Sequence, residues 1–209
     1  MTAKTPGQSG PDTEVYRSMG LDALVQELAE ERSYAILDLG PALGANVDFW
    51  SGFACRIHFA DLYGSLAEVG FEAGDEAPVW DAALLQRLLP FEPETRFDII
   101  LCWDILNYLT QEQVTSLVAY LAGFCKQGTY LFAQFWLSPR IPARPITFKI
   151  VDREHLRYAN RDLETRSWAF FQPRDINKIM DNFRVAGSFL LRHGIQEYLF
   201  LYRGCSLRE

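Results

Sequence analysis

The chain has 209 residues, of which 49% are hydrophobic and 22% are charged, an ordinary composition for a globular protein. No apolar run approaches the roughly 20 residues of a membrane-spanning helix, so we expect no membrane segment. The net charge of −7 argues against a nucleic-acid-binding protein, because neutralising phosphates requires clustered lysine and arginine. The four cysteines form no CxxC pair, which predicts free thiols and a cytoplasmic location.

The N-terminal third predicts a short tail followed by helix and strand. Residues 1–13 are small and polar, and we expect a flexible tail there, with residues 14–209 forming a single domain. Apolar residues recur at helical spacing over residues 15–31, which predicts a helix. Residues 34–39 and 55–60 are short apolar runs that end at turn residues, as buried strands do.

The middle of the chain predicts two further buried strands joined by a helix. Residues 77–80 form a weak edge-strand pattern, where a proline is tolerated. The continuous apolar run at residues 97–103 predicts a buried strand. Thr110 is a suitable cap for the next helix, which we expect to end near Gly128 before a strand at residues 129–136.

The C-terminal part predicts a helix opened by Pro173 and a hairpin of residues 184–192 and 195–202, joined by a His-Gly turn. Strands that alternate with helices and end in a hairpin indicate an α/β fold. We expect a doubly wound, mostly parallel sheet with helices on both faces. Ligands of such sheets bind outside the carboxyl ends of the strands. The residues that follow each strand are therefore the candidates for a site.

The first predicted strand ends in a turn that contains Asp38, Gly40 and Gly44. Glycines allow the backbone to approach a ligand closely. The spacing differs from that of a dinucleotide-binding turn, because Ala42 stands at the middle glycine position. A methyl donor without phosphates needs that glycine less. Asp38 can hold an ammonium group, or it can simply cap the loop.

Asp61 terminates the second predicted strand. A carboxylate at this position can accept hydrogen bonds from ribose hydroxyls. The alternative is a cap for the helix that follows. In combination with the glycine turn, Asp61 is a more specific signal than either feature alone.

These features, together with residues 97–109 (FDIILCWDILNYL) and the closing helix and hairpin, resemble the class I SAM-dependent methyltransferases. The resemblance covers about residues 34–203. It implies a Rossmann-like sheet of seven strands with the last one antiparallel, and S-adenosyl-L-methionine (SAM) as cofactor, with S-adenosylhomocysteine (SAH) as product. It implies methyl transfer and does not identify the acceptor.

The resemblance also implies roles for individual residues in cofactor binding. Gly40 and Gly44 would line the methionine end of the cofactor, and Asp61 would bind its ribose. Asp81 resembles the acid that contacts adenine in many members, and a helix N-cap is the alternative.

Asp104 matches the family position beside the transferred methyl group, so it is a candidate for both cofactor and acceptor contact. It is our first candidate for a general base, and a fixed hydrogen bond to the cofactor or loop is the alternative. Tyr108 and Trp103 could attract a sulfonium through their ring faces, although Trp103 also suits the core. Gln134 and Trp136 could face an acceptor pocket.

Residues 137–172 are where we expect substrate choice to be determined, as a substrate-facing insertion. Residues 137–174 contain eight lysines and arginines against four acids, a local charge of +4. This charge suits either a solvated connection or an acidic acceptor. We expect a small-molecule acceptor, with His155 the only histidine placed to reach it. No spacing of histidine, cysteine and acid predicts a metal site.

Two alternative functions remain open at this point. The first is a catalytically inactive binding or regulatory module on the same fold, because the middle glycine and an evident base are absent. The second is an NAD-dependent oxidoreductase, which shares Asp61 but has neither the glycine spacing nor a Tyr-x-x-x-Lys proton relay.

Overall fold

The computed structural model describes residues 15–70, 80–159, 164–167, 171–191 and 194–204. The strands are β1 (Val15–Arg17), β2 (Tyr34–Asp38), β3 (Cys55–Phe59), β4 (Phe97–Trp103), β5 (Cys125–Trp136), β6 (Arg140–Pro142), β7 (Thr147–Ile150), β8 (His155–Ala159), β9 (Thr165–Ser167), β10 (Phe183–Leu190) and β11 (Ile195–Tyr202). The α-helices are α1 (Met19–Gln26), α2 (Gly44–Trp50), α3 (Leu62–Glu68), α4 (Ala82–Leu88), α5 (Gln111–Ala122) and α6 (Pro173–Ile179), and a 3-10 helix covers Ile105–Tyr108. No helix in these ranges is long and apolar enough to cross a membrane.

Six strands form the central sheet of the described residues, in the order β10–β11–β5–β4–β2–β3. Strands β2, β3, β4 and β5 are parallel, whereas β11 runs antiparallel between β5 and β10. The predicted mostly parallel sheet and its C-terminal hairpin are confirmed. The expected tail at residues 1–13 lies outside the described residues, as does the edge strand at residues 77–80 apart from Trp80.

Both faces of the central sheet are covered, which is the reason its strands read as continuous apolar runs. Side chains alternate along β4, so Ile100 and Cys102 pack on one face and Ile99 and Leu101 on the other. Helices α3, α4, α5 and α6 cover the first face. Helices α1 and α2, with a small sheet in the order β1–β8–β7, cover the second.

The predicted helix over residues 15–31 is wrong at both ends. Val15–Arg17 is a strand that pairs antiparallel with β8, and α1 covers only Met19–Gln26. The side chain of Ser18 caps α1, with Oγ accepting a hydrogen bond from the Leu21 amide at 3.1 Å. Pairing with a distant strand therefore overrides the local helical pattern.

Helix α5 starts as predicted and ends early. Thr110 caps it and Gln113 completes a capping box, but the helix stops at Ala122 and β5 starts at Cys125. Gly128, expected at the helix end, has φ +90° inside β5. It lies in an irregular stretch of the β4–β5 pairing, where a positive φ favours glycine.

The described part of residues 137–172 forms short strands. Strands β7 and β8 pair with β1, and β6 pairs with β9. Asn46 in α2 holds β7 in place, since its amide donates to the Phe148 carbonyl at 3.1 Å and accepts from the Ile150 amide at 2.9 Å. This segment is thereby fixed against the carboxyl end of the parallel strands.

Candidate functional site

A cavity of about 110 Å³ lies at the carboxyl ends of β2, β3 and β4. Its walls are the turn after β2, the start of α3, the end of β4 and residues 145–148. Strands β3 and β4 flank β2 on opposite sides, so the cavity lies where the order of the parallel strands reverses. Ligands of open α/β sheets bind at this point.

Asp38 is fully buried at the end of β2. Its Oδ1 accepts hydrogen bonds from the Gly40 amide at 2.8 Å and from the Trp103 indole at 2.6 Å. Its Oδ2 is buried and accepts no hydrogen bond from the described residues. Burial raises the pKa of Asp38 to about 6, against the lowering effect of Gly40, Trp103 and the nearby Asn46. One oxygen thus caps the turn and the other remains available to a donor.

Gly40 and Gly44 differ in what the protein itself requires of them. A Cβ atom on Gly40 would lie 3.1 Å from both Asp38 Oδ1 and Trp103 Cδ1, so any larger residue would require the indole or the carboxylate to move by a few tenths of an ångström. A Cβ atom on Gly44 would meet nothing within 4 Å. Gly44 starts α2 and does not line the cavity.

Asp61 and Asp81 both cap helices. Asp61 has φ +36° and accepts a hydrogen bond from the Gly64 amide at 3.2 Å, and its exposed side chain also borders the cavity. Asp81 accepts from the Leu84 amide at 2.8 Å at the start of α4 and is not among the lining residues. Both residues therefore act as helix caps, and of the two only Asp61 also borders the cavity.

Trp103 has an unusual backbone and a double role. Its φ of +48° is strained for a bulky residue, and such strain concentrates at functional sites. The indole stacks on Phe148 with ring centroids 5.6 Å apart and meets Phe132 edge-on. Trp103 consequently belongs to the core and also forms part of the cavity wall.

Asp104 lies in the cavity wall directly after β4 and is only 1% exposed. Its Oδ2 accepts hydrogen bonds from the Ile146 amide at 3.1 Å and from the Trp136 indole at 3.4 Å. Its Oδ1 is buried without a partner in the described residues. Burial raises the pKa of Asp104 to about 7 despite these hydrogen bonds. The group therefore changes its charge near neutral pH.

Tyr108 is buried behind the cavity and does not line it. Its hydroxyl donates to the Arg144 carbonyl at 2.8 Å, and the guanidinium of Arg166 lies 5.7 Å from the ring centroid. Burial raises the pKa of Tyr108 well above its ordinary value. Its evident structural effect is to hold residues 140–144 against the end of β4.

The prediction that Gln134 faces an acceptor pocket is wrong. Its amide donates to the Tyr16 hydroxyl at 2.7 Å and to Glu197 Oε1 at 3.1 Å, so it lies in a buried polar network with β1 and β11 and does not line the cavity. Gln134 and Trp136 share one face of β5, and Gln134 lies further from the carboxyl end of the strand. Trp136, two residues later, does reach the site through its hydrogen bond to Asp104.

Several contributors to the cavity carry no sequence signal. Asn46, Ile146 and Phe148 line it, but only the folded contacts of residues 145–148 bring them there. His155 pairs with Asp152 at 2.9 Å and does not line the cavity. In the ranges that the structure describes, no group of three or more histidines, cysteines and acids could hold a metal ion.

Comparison with known proteins identifies the fold. No family model and no curated protein sequence matches the chain. Among solved structures, the chain resembles an S-adenosylmethionine-dependent methyltransferase from Clostridium acetobutylicum, with a TM-score of 0.52 and 12% identity over 88% of this chain and 92% of that one. The fold is that of the class I SAM-dependent methyltransferases.

A second structure with the class I methyltransferase fold is similar to the same extent. It is the 1,6-didemethyltoxoflavin-N1-methyltransferase of Burkholderia thailandensis with bound 1,6-didemethyltoxoflavin and S-adenosylhomocysteine. Its TM-score is 0.51 and its identity 16%, over 88% of this chain and 75% of that one. At these identities the similarity concerns the fold alone.

The chemistry of the cavity suits a positively charged group. Its volume has room for only part of SAM. Asp104 in the cavity wall and Asp38 directly before the Gly40 turn each have a buried oxygen that accepts no hydrogen bond from the described residues, and SAM carries an ammonium and a sulfonium. The cavity of about 110 Å³ is smaller than the roughly 300–1,000 Å³ of small-molecule sites. A SAM molecule bound here would therefore extend out of the cavity past the exposed side chain of Asp61, or the stacked rings of Trp103 and Phe148 would have to move.

Proposed function

We propose that the protein binds SAM at this cavity and transfers its methyl group to a small-molecule acceptor. The observation that carries the proposal is the buried, unpartnered oxygen of Asp38 beside the Gly40 turn, at the switch point of the sheet. The structural neighbours with this fold include SAM-dependent enzymes, which supports the choice of cofactor.

The proposed roles follow from the position of each side chain. Asp38 Oδ2 accepts a hydrogen bond from the cofactor's ammonium group, the Gly40 turn and Gly44 border its methionine end, and Asp61 accepts from its ribose. Asp81 would contact adenine from beyond the cavity. When bound, the cofactor supplies an electrophilic methyl group. The chain's own task is then to hold the acceptor in line and to exclude water.

Asp104 contacts the acceptor in this proposal, and Tyr108 positions the wall beside it. Residues 137–172 act as a substrate-facing insertion of a single domain, since residues 145–148 already form one side of the cavity. The lining of the cavity gives no support to the prediction of an acidic acceptor, because no basic side chain in the described residues lines it. The free thiols of Cys55, Cys102 and Cys125 support a cytoplasmic location.

A thermal-shift experiment with SAM, SAH and NAD tests the proposal. Ligand at about 100 times its Kd stabilises a protein by about 2.7 kcal/mol, which corresponds to about 5–10 °C in Tm for a chain of this size. We expect this rise with SAM and SAH and none with NAD.

The Asp38→Asn variant keeps an acceptor for the Gly40 amide and removes the charge, so we expect it to lose most of the SAM-dependent rise. Exposed Asp48 provides the matched control Asp48→Asn, which should respond like the wild type. A folded wild-type protein that shows no rise with SAM or SAH would refute the assignment. That result would favour a binding module that has lost the cofactor.

A further inference from the structure

The carboxylate of Asp104 is held in one orientation with one oxygen uncommitted. The Ile146 amide and the Trp136 indole both donate to Oδ2, and they come from two different segments of the chain. Oδ1 is buried and accepts no hydrogen bond in the described residues. A buried acceptor without a donor is unfavourable, so a ligand that supplies the donor gains affinity at this point.

The rest of this end of the cavity is apolar or aromatic. Its walls include Tyr63, Ile105, Pro145, Ile146 and Phe148. Within the described ranges, no lysine, arginine or histidine lines the cavity, whereas two aspartates, Asp61 and Asp104, do. An anionic group would therefore be repelled here. A carbonyl or ether oxygen would leave a deprotonated Asp104 without a donor.

The charged groups nearest to Asp104 do not neutralise it. Tyr108, on the 3-10 helix that follows, is a neutral phenol, because burial and the nearby Asp104 raise its pKa. The guanidinium of Arg166 lies over the Tyr108 ring and does not line the cavity. Asp61 adds negative charge to the same cavity, and Asp38 is buried directly before the Gly40 turn that lines it. A positive charge has to come from the ligand.

We propose that the methyl acceptor is an amine whose nitrogen, carrying at least one hydrogen, docks on Asp104 Oδ1. Because an ammonium has no lone pair, a bound ammonium would first give one proton to Asp104 Oδ1. The free amine would then form the N–CH₃ bond as the C–S bond of the methyl donor breaks, and SAH would leave as a neutral thioether. That this amine accepts a methyl group rests on the proposed function, whereas the amine-binding subsite rests on the geometry of Asp104. A charge-assisted N–H···O bond is stronger than a neutral one, and the stacked rings of Trp103 and Phe148 favour a cation nearby. The cavity of about 110 Å³ has room for the head of the amine only, about four water volumes.

The test uses three probes of nearly equal size, n-propylamine, n-propanol and propanoate. Each is titrated at pH 8 into ¹⁵N-labelled protein, with and without saturating SAH, and the indole N–H signals of Trp136 and Trp103 are followed by NMR. These groups donate to Asp104 and Asp38, respectively, so they report on the two ends of the cavity. We expect saturable binding of the amine, at least tenfold weaker binding of the alcohol, and none of the carboxylate.

The Asp104→Asn variant keeps an oxygen for the Ile146 amide and removes the negative charge. We expect it to bind the amine at least tenfold more weakly than the wild type. The control Asp48→Asn should bind like the wild type. If Asp104→Asn does not fold, the comparison of the three probes on the wild type still decides.

The amine subsite is refuted if the alcohol or the carboxylate binds as tightly as the amine, if no probe binds, or if a folded Asp104→Asn keeps its amine affinity. SAH binding to the same samples separates this result from the fate of the proposed function. Binding of SAH without the amine leaves methyl transfer standing and removes the amine subsite. If the amine binds in an Asp104-dependent way and SAH does not bind, the amine subsite stands and the proposed methyl transfer is refuted.

Discussion

Two buried aspartates at neighbouring strand ends share the same arrangement. Asp38 and Asp104 each accept two hydrogen bonds from the protein on one oxygen and keep the second oxygen buried without a partner. Most buried polar atoms in folded proteins do have partners. Trp50 and Gln134 also have a buried polar atom without a hydrogen bond in the described residues, and Asp104 is the one of these four residues that lies in the cavity wall.

The raised pKa values of these residues predict how stability depends on pH. Burial raises the pKa of Asp38 to about 6 and that of Asp104 to about 7, whereas both titrate near their ordinary value of 3.8 when unfolded. Between about pH 4 and pH 7 the native state therefore binds more protons than the unfolded state. The free energy of unfolding must fall as the pH rises through this window.

Asp104→Asn removes one of the two titrating groups. For Asp104 the loss in the wild type approaches about 4 kcal/mol as an upper limit, at about 1.36 kcal/mol for each pH unit between its two pKa values. We expect the variant to show a clearly smaller fall, measured by denaturant unfolding at several pH values between 4.5 and 7.5. An unchanged slope in the variant would contradict the burial argument.

At the scale of elements, a buried carboxylate from β11 organises the start of α1. Glu197 is fully buried, and its oxygens accept hydrogen bonds from the Ser18 hydroxyl at 2.6 Å, the Gly20 amide at 2.7 Å and the Gln134 amide at 3.1 Å. Burial raises the pKa of Glu197, although these donors lower it. The first turn of α1 is thus fixed by a residue at the far end of the chain.

Glu197→Gln should weaken this attachment selectively. The amide has one acceptor oxygen in place of two, so one of the donors near Ser18 and Gly20 loses its partner, at a cost of about 1–3 kcal/mol. We expect faster hydrogen exchange in α1 and little change in α5. Glu27→Gln, at the exposed end of the same helix, is the control. Equal protection of α1 in Glu197→Gln and the wild type would contradict this role.

The elements that the sequence predicts well are those whose pattern is local. Strands β2, β4 and β5 are apolar runs because neighbours bury both of their faces, and α5 carries its own capping box. Strand β1 could not be predicted, because its partner β8 lies about 140 residues away and its pattern also suits a helix. The same applies to β7, whose position depends on hydrogen bonds to Asn46.

At the scale of the whole molecule, the candidate site combines strand ends with a remote segment. The rule that ligands bind at strand ends leads to Asp61 and Asp104, which line one cavity, and to Asp38, which is buried directly before the Gly40 turn; their roles in binding stay predictions. The same reasoning misplaces Gln134, because its partners Tyr16 and Glu197 come from remote parts of the chain and hold it in a buried network. Phe148 and Ile146 could not be predicted, since the hydrogen bonds of Asn46 and Tyr108 bring their segment over the cavity.

Calorimetric titration with SAH of the wild type and of Asp61→Gly tests the central claim most directly. Glycine tolerates the positive φ of residue 61 and is acceptable at a helix N-cap, so this variant loses the carboxylate with little effect on α3. We predict micromolar binding by the wild type and by the Asp48→Asn control, and at least tenfold weaker binding by Asp61→Gly. Absence of SAH binding by the folded wild type, or equal binding by Asp61→Gly, would contradict the account.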